Sequence, residues 1–160
     1  IAPQFHDTLF FADSRERIGE FRNVITKPNR YEASKAVNDK FNDEPSTPAA
    51  IQSAQQLLSR TNRPVFLTLD KEGICPISEE GYSQIPCPPV HEPIDIVGAG
   101  DSVTAGIVSA LASHASLTEA AMIGNLVASI TIRQLGTTGT ATQAQVMEAW
   151  TKNEDLYKNL

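Results

Sequence analysis

Apolar residues along this chain follow two patterns. Short continuous runs, Thr8-Leu-Phe-Phe-Ala12, Asn23-Val-Ile-Thr26 and Val65-Phe-Leu-Thr-Leu69, predict buried strands. Elsewhere apolar positions recur at helical spacing. Ile51, Ala54, Leu57 and Leu58 share one face of a helix that Ser46 or Thr47 caps and that runs to about Arg60. Val103, Ile107, Val108 and Leu111 share a face over Asp101 to Ser113. Leu117 to Leu135, stopped by Gly136, is apolar on most sides until Arg133 and should be deeply buried. Further helices are expected over Arg15 to Arg22 behind a cap at Asp13-Ser14, over Tyr31 to Val37, and from Thr142-Gln143 through Trp150, with a fraying polar tail.

Breaks fall between these segments. Asn38 to Pro48 reads as a polar loop, and Asn62-Arg63-Pro64 as a stop. Asp70-Lys-Glu-Gly73 and Glu79-Glu80-Gly81 read as turns, returning Ile74 to Ile77 and Tyr82 to Ile85 as a hairpin. Pro86-Cys-Pro-Pro89 and Pro93 make an extended connector. Strand, helix, strand at the start implies a parallel sheet. The expectation is one three-layer α/β/α domain over residues 1–160, mainly parallel with a β-hairpin, and ligands at the carboxyl ends of the strands.

The connector leads to Asp95-Ile-Val-Gly98-Ala99-Gly100-Asp101, which runs on to Gly106. Small residues let a backbone turn tightly and bring its N–H groups close to a ligand. A helix starting there adds unpaired N–H groups and the positive end of its dipole, a setting that binds phosphate. An alcohol is a poor nucleophile, so an acid in such a cradle suits a base that removes its proton. The purely structural reading is a glycine turn with Asp101 as a cap. A dinucleotide fingerprint would need glycine where Val103 stands, and no Walker-type Gly-Lys-Ser/Thr string occurs.

Composition narrows the classes. The 160 residues suffice for a domain with a real core. A net charge of −6, from 13 basic and 19 acidic residues, shows no basic patch and argues against nucleic acid. No run is apolar and long enough to span a membrane. Cys75 and Cys87 lack zinc-type spacing and read as free thiols in a reducing, cytoplasmic setting. His6, His91 and His114 form no metal pattern.

The Asp95–Gly106 stretch resembles the second signature of the ribokinase-like (PfkB) carbohydrate kinases, Asp-x-x-Gly-Ala-Gly-Asp with a glycine five residues on. The resemblance implies a ribokinase-like, Rossmann-like fold and ATP-dependent phosphorylation of a sugar or sugar-phosphate hydroxyl. It implies Asp101 as the base and the backbone of Gly98, Ala99 and Gly100 as an anion hole. Lys27-Pro28-Asn29-Arg30-Tyr31-Glu32 is similar to the family's Asn-x-x-Glu motif, in which Asn29 and Glu32 would serve nucleotide phosphate and Mg2+ through water. The same spacing is a capping box, and a cap and a metal site can share a helix start. Thr68 and Gly73 match the strand end and hairpin that approach the ATP phosphates, while Asp70 stands where the family usually has glycine. Asn125 matches a position lining the adenine pocket, with a satisfied core amide as the plain alternative, and Leu135 to Thr142 resembles the loop flanking the base. Asp95 and Val97 match a monovalent cation site, which K+ would fill. Trp150 reads as packing.

By eye the resemblance leans toward heptose-7-phosphate kinase-type enzymes. It covers the C-terminal, nucleotide half of the family. The N-terminal sugar-binding and lid half, through which family homodimers form, has no match here. Two other readings stand beside it: a nucleotide-binding remnant without transfer activity, and a kinase of a nucleoside or vitamin alcohol.

Overall fold

A computed structural model describes residues 2–5, 8–38, 45–158 and 160. The chain divides into two compact units, Ile1–Asp70 with Cys75–Gln84, and Lys71–Ile74 with Ile85–Leu160. His6 and most of the polar loop expected over Asn38 to Pro48 lie outside the described residues.

The first unit is built on a sheet whose spatial order follows the chain: β1 (Phe11–Ala12), β2 (Ile25–Thr26), β3 (Val65–Thr68), β4 (Ile74–Ser78) and β5 (Gly81–Tyr82). β1, β2 and β3 pair in parallel, and β4 and β5 form the antiparallel hairpin. β3 is buried on both faces, as a central parallel strand should be. Val65 and Leu67 join the core, and Phe66, on the alternate side, meets the Phe11 ring at 6.2 Å. That core also takes Ala33 from α1 (Arg30–Val37) and Ala50, Ala54 and Leu57 from α2 (Thr47–Thr61), with Ile51 and Leu58 at its margin.

β1 and β2 are shorter than the apolar runs suggest. Pairing is limited to the ladder from Ile25 N to Phe10 O and from Lys27 N to Ala12 O. Asn23, at φ 60°, then bends the chain into the left-handed region, and its N–H goes to Thr61 O. The helix expected over Arg15 to Arg22 is a correction: the segment is a turn followed by a single 3-10 turn, Ile18–Glu20. The Ser14 hydroxyl takes the Arg17 N–H at 3.2 Å, and the Arg22 guanidinium takes the Gly19 and Phe21 carbonyls. These side-chain bonds pair backbone groups locally, in competition with a helical ladder.

The second unit holds three helices, α3 (Ala99–Ala112), α4 (Leu117–Thr131) and α5 (Gln143–Tyr157). α3 starts at Ala99, ahead of the expected Asp101. α4 is deeply buried as expected but ends at Thr131, not Leu135, because Ile132 O accepts the Asp95 N–H at 2.8 Å. α5 continues past Trp150 through the polar tail. Trp150 stacks on Tyr157 with centroids 5.7 Å apart, and Lys152 pairs with Glu148 at 2.6 Å along the helix.

α3 and α4 approach most tightly at two glycines. A Cβ on Gly106 would lie 3.0 Å from the Gly124 Cα and 3.1 Å from Ile123 O. The last glycine of the motif therefore serves packing: it lets the helix that carries Asp101 lie against α4. Gly106→Val is expected to destabilise the chain by about 1–3 kcal/mol in urea denaturation. Ala105→Leu, on the exposed side of α3, should stay within about 0.5 kcal/mol. Equal effects would remove the crossing as the reason for Gly106.

Candidate active site

In the first unit the site residues gather just past the end of β2. Pro28 ends the strand, and its carbonyl takes the Thr68 N–H at 2.9 Å. Asn29 bridges to Thr68 in parallel fashion, which sets Asn29, Glu32 and Thr68 beside one another. Asn29 caps α1. Its Oδ1 accepts the Glu32 N–H at 2.8 Å, and Glu32 Oε2 accepts the Asn29 N–H at 2.8 Å. One Glu32 oxygen is thus committed to the cap, and among the described residues Oε1 is left for another donor. Burial lifts the Glu32 carboxyl above its ordinary value, partly offset by the Asn29 N–H bond.

Two charged neighbours were not singled out from the sequence. Lys27 is 4% exposed and its Nζ lies 2.8 Å from Asp13 Oδ2. Both act on the Glu32 carboxyl, Asp13 raising its pKa and Lys27 lowering it. The available signal was positional: an acid just past β1 and a lysine just past β2, at the same end of two parallel strands.

Asp70, the departure from the family's glycine, sits at φ 53°. That is the left-handed region, where glycine is free of strain and aspartate among the better tolerated alternatives. Its carboxylate turns to Arg30, with Nε 3.5 Å from Oδ2, and the same guanidinium holds Leu69 O at 3.0 Å.

In the second unit the motif forms the start of α3. Gly98 is the N-cap at φ 79°, and a Cβ there would lie 2.7 Å from the Thr138 methyl. Asp101 stands exposed in the first turn. α1, α4 and α5 begin with reciprocal capping boxes, Asn29 with Glu32, Ser116 with Glu119 and Thr142 with Gln145. Gly98 has no side chain to do this. The Ala99 N–H is taken by Ile96 O at 3.0 Å, while the Gly98, Gly100 and Asp101 amides have no partner among the described residues. Within the expected anion hole, the open donors are therefore those of Gly98 and Gly100, joined by the Asp101 amide.

Asp95 and Val97 are tied to each other: Asp95 Oδ1 accepts the Val97 N–H at 3.0 Å, and Oδ2 accepts the Gly136 N–H at 3.0 Å. These bonds hold the Asp95 carboxyl below the ordinary aspartate value. Gly73 and Asn125 meet at one backbone node. A Cβ on Gly73 would fall 2.0 Å from Ile85 O, the carbonyl that Asn125 Nδ2 reaches at 2.9 Å. Asn125 also donates to Pro86 O at 3.2 Å, so both amide hydrogens serve the connector and neither is left for a base.

An open, electropositive helix start with a carboxylate in its first turn can hold a phosphoryl group and accept a proton beside it. Among the described residues no three His, Cys, Asp or Glu side chains are grouped as a metal site. The spare Glu32 oxygen, on a half-buried carboxylate, suits a hydrated magnesium ion carried mainly by phosphates.

A model of the pfkB family of carbohydrate kinases matches residues 23–144. The bifunctional protein HldE of Nitratiruptor sp. is 33% identical over 139 residues, 86% of this chain and 29% of that protein. Phosphofructokinase-2 from Escherichia coli in complex with potassium superposes with a TM-score of 0.78 at 22% identity, covering 94% of this chain and 49% of that one. Ribokinase from Thermotoga maritima gives 0.76 at 19% identity, covering 94% and 51%. These superpositions show a ribokinase-like α/β fold. The chain spans about half the length of those solved kinases and less than a third of its curated relative.

The raised Glu32 pKa has a testable sign. A group that holds its proton more tightly when folded adds stability that is fully present below its unfolded pKa and is lost as pH rises through the folded one. Glu32→Gln keeps an oxygen for the Asn29 N–H. It should therefore equal or exceed the wild type in urea denaturation at pH 7, and the difference should vanish below about pH 4, where an unfolded glutamate is protonated. A variant clearly weaker at pH 7 would show that the ionised carboxylate stabilises the cap.

Proposed function

This chain belongs to the pfkB family of carbohydrate kinases, and from that premise we propose that it is the nucleotide-handling part of an enzyme that transfers the γ-phosphate of ATP to a hydroxyl of a sugar or sugar phosphate. The observation that carries the reading is the uncapped start of α3 with Asp101 in its first turn. The likeness to HldE and the Lys27-Pro28-Asn29-x-x-Glu32 string favour a heptose-phosphate acceptor over other sugars.

In this reading the Asp101 carboxylate accepts the proton of the acceptor hydroxyl. The hydroxyl oxygen forms a bond to the γ-phosphorus, the bond from that phosphorus to the bridging oxygen breaks, and ADP leaves. The open amides of Gly98 and Gly100 bind the oxygens of the phosphoryl group as charge spreads over them. Glu32 would hold a hydrated magnesium ion through water, and Asn29 fixes that carboxylate by the capping box. Magnesium supplies charge neutralisation at the phosphates. Thr68 and Gly73 belong to the phosphate side by family position, and Asn125 serves it indirectly by holding the Ile85–Pro86 backbone. Asp95 and Val97 match the family's monovalent cation site, where potassium would bind; each Asp95 oxygen accepts one N–H and keeps a further lone pair.

A second reading, nucleotide binding without transfer, needs only the open amides of Gly98 and Gly100 and no base. One experiment separates the two. In the full protein, Asp101→Asn is expected to lower turnover by about 10²–10⁴-fold, the usual worth of a positioned base. Calorimetric affinity for a non-hydrolysable ATP analogue with magnesium should stay within about threefold, since the backbone donors are unchanged. Turnover near that of the wild type would remove Asp101 as the base; binding with no transfer in the wild type would establish the second reading.

A further inference from the structure

Two cations stand past the carboxyl ends of the parallel strands in the first unit, and each meets an acid from a neighbouring strand end. Lys27, just past β2, lies 2.8 Å from Asp13 Oδ2, with the two side chains 5% and 31% exposed. Arg30, the first residue of α1, lies 3.5 Å through Nε from Asp70 Oδ2. There the acid is 77% exposed and the cation 14%. The Arg30 guanidinium has other anchors: Nη2 donates to Leu69 O at 3.0 Å and Nη1 to Thr47 Oγ1 at 3.4 Å. It is thus tied to the end of β3 and the start of α2, while its counter-ion is a largely solvated carboxylate.

Resting on the nucleotide reading above for the identity of the anion, we propose that Arg30 binds a nucleotide phosphate and that Asp70 is its resident competitor. The phosphate displaces the Asp70 carboxylate from a guanidinium that stays in place. An exposed ion pair contributes little, so Asp70 returns to water at small cost. A phosphate carries more charge and more acceptor oxygens than a carboxylate, and the planar fork of arginine suits it. Arg30 is already ordered by Leu69 and Thr47, so binding immobilises no further long side chain. Lys27 does not suit the same exchange. Its pair with Asp13 is shorter and more buried, and parting the two would strand a buried charge. The neighbours also fit a metal–phosphate complex. Arg30 directly follows Asn29, which bridges to Thr68, and it shares the first turn of α1 with Glu32. A hydrated magnesium ion and its phosphate would meet an acid and a cation from one helix start.

Calorimetry on the full protein tests this with the magnesium complex of a non-hydrolysable ATP analogue, inorganic tripolyphosphate and adenosine. Arg30→Gln is expected to weaken the analogue and tripolyphosphate about tenfold or more, the usual loss of a hydrogen bond to a charged group. Adenosine, which has no phosphate, should bind as it does to the wild type. Asp70→Asn keeps a residue suited to the left-handed turn. It should tighten both phosphate-bearing probes about three- to fivefold, the worth of an exposed ion pair. In the Arg30→Gln background the same change should move affinity by less than about twofold, because the two residues act as one unit. Arg30→Lys, which keeps the charge and loses the fork, should fall between, and carries the comparison if Arg30→Gln does not fold. Unchanged affinity in Asp70→Asn would overturn the competition. Equal tightening with and without Arg30 would show that Asp70 merely repels phosphate, and an equal loss for adenosine that Arg30 is only a structural tie; either overturns the proposal. Tripolyphosphate binding through Arg30 without analogue binding would overturn the nucleotide reading and keep the anion site. A wild type that binds neither would overturn both.

Discussion

The backbone N–H groups at the start of α3 are left without a side-chain cap, and the residues around them keep them so. A helix end normally recruits Ser, Thr, Asp or Asn to satisfy its first amides. α1, α4 and α5 do this reciprocally. At α3 the cap is glycine in the left-handed conformation, with the Thr138 methyl where a side chain would begin. Against a Ser, Thr, Asn or Asp cap, glycine forgoes roughly a few tenths of a kcal/mol. The compensation lies along the helix, where Gly106 and Gly124 let α3 and α4 close to backbone contact.

The two acid-bearing helix starts are built on opposite plans. At α1 the acid is folded into the cap: Glu32 spends one oxygen on the Asn29 N–H, and burial disfavours its charge. At α3 the acid stands exposed beside amides that remain open. A carboxylate held by its own helix start, with one oxygen over, suits the steady holding of a hydrated cation. One that projects freely beside unsatisfied donors suits an exchange of protons with a bound alcohol. Sequence spacing alone treats both as caps; the hydrogen-bond partners separate them.

What could be read in the sequence was local and periodic. The β3 run, the face of α2 and the Asn29–Glu32 capping box each follow from residues within a few positions, and the structure has them. The glycine motif was equally legible, because turn chemistry and helix start lie side by side. Misread elements depend on distant partners. α4 ends early because Asp95, far back in the chain, captures Ile132 O. The polar tail is an exception: it stays helical with Tyr157 stacked on Trp150 only about two turns earlier in the same helix. The Arg15 to Arg22 segment looked helical by composition, but Asn23 turns left-handed to reach Thr61. Lys27 and Asp13 became visible as a pair only when two parallel strands brought their ends together.

Asp70 shows how a departure from a family pattern should be weighed. The position demands a left-handed backbone, which costs a side-chain-bearing residue about 1–2 kcal/mol. Aspartate is among the residues that meet the demand, at the expense of a charge beside a strand end that the family keeps neutral. That charge is directed toward Arg30, whose guanidinium is mostly buried and also fastened to the Leu69 carbonyl. Because Arg30 is the first residue of α1, directly after Asn29, the neutralising cation is supplied by the same helix start that carries Glu32. The glycine is thus replaced by a pair rather than by a single residue. The backbone conformation is kept by Asp70 and the charge is answered by Arg30, so the substitution alters the chemistry at that turn without requiring a different fold.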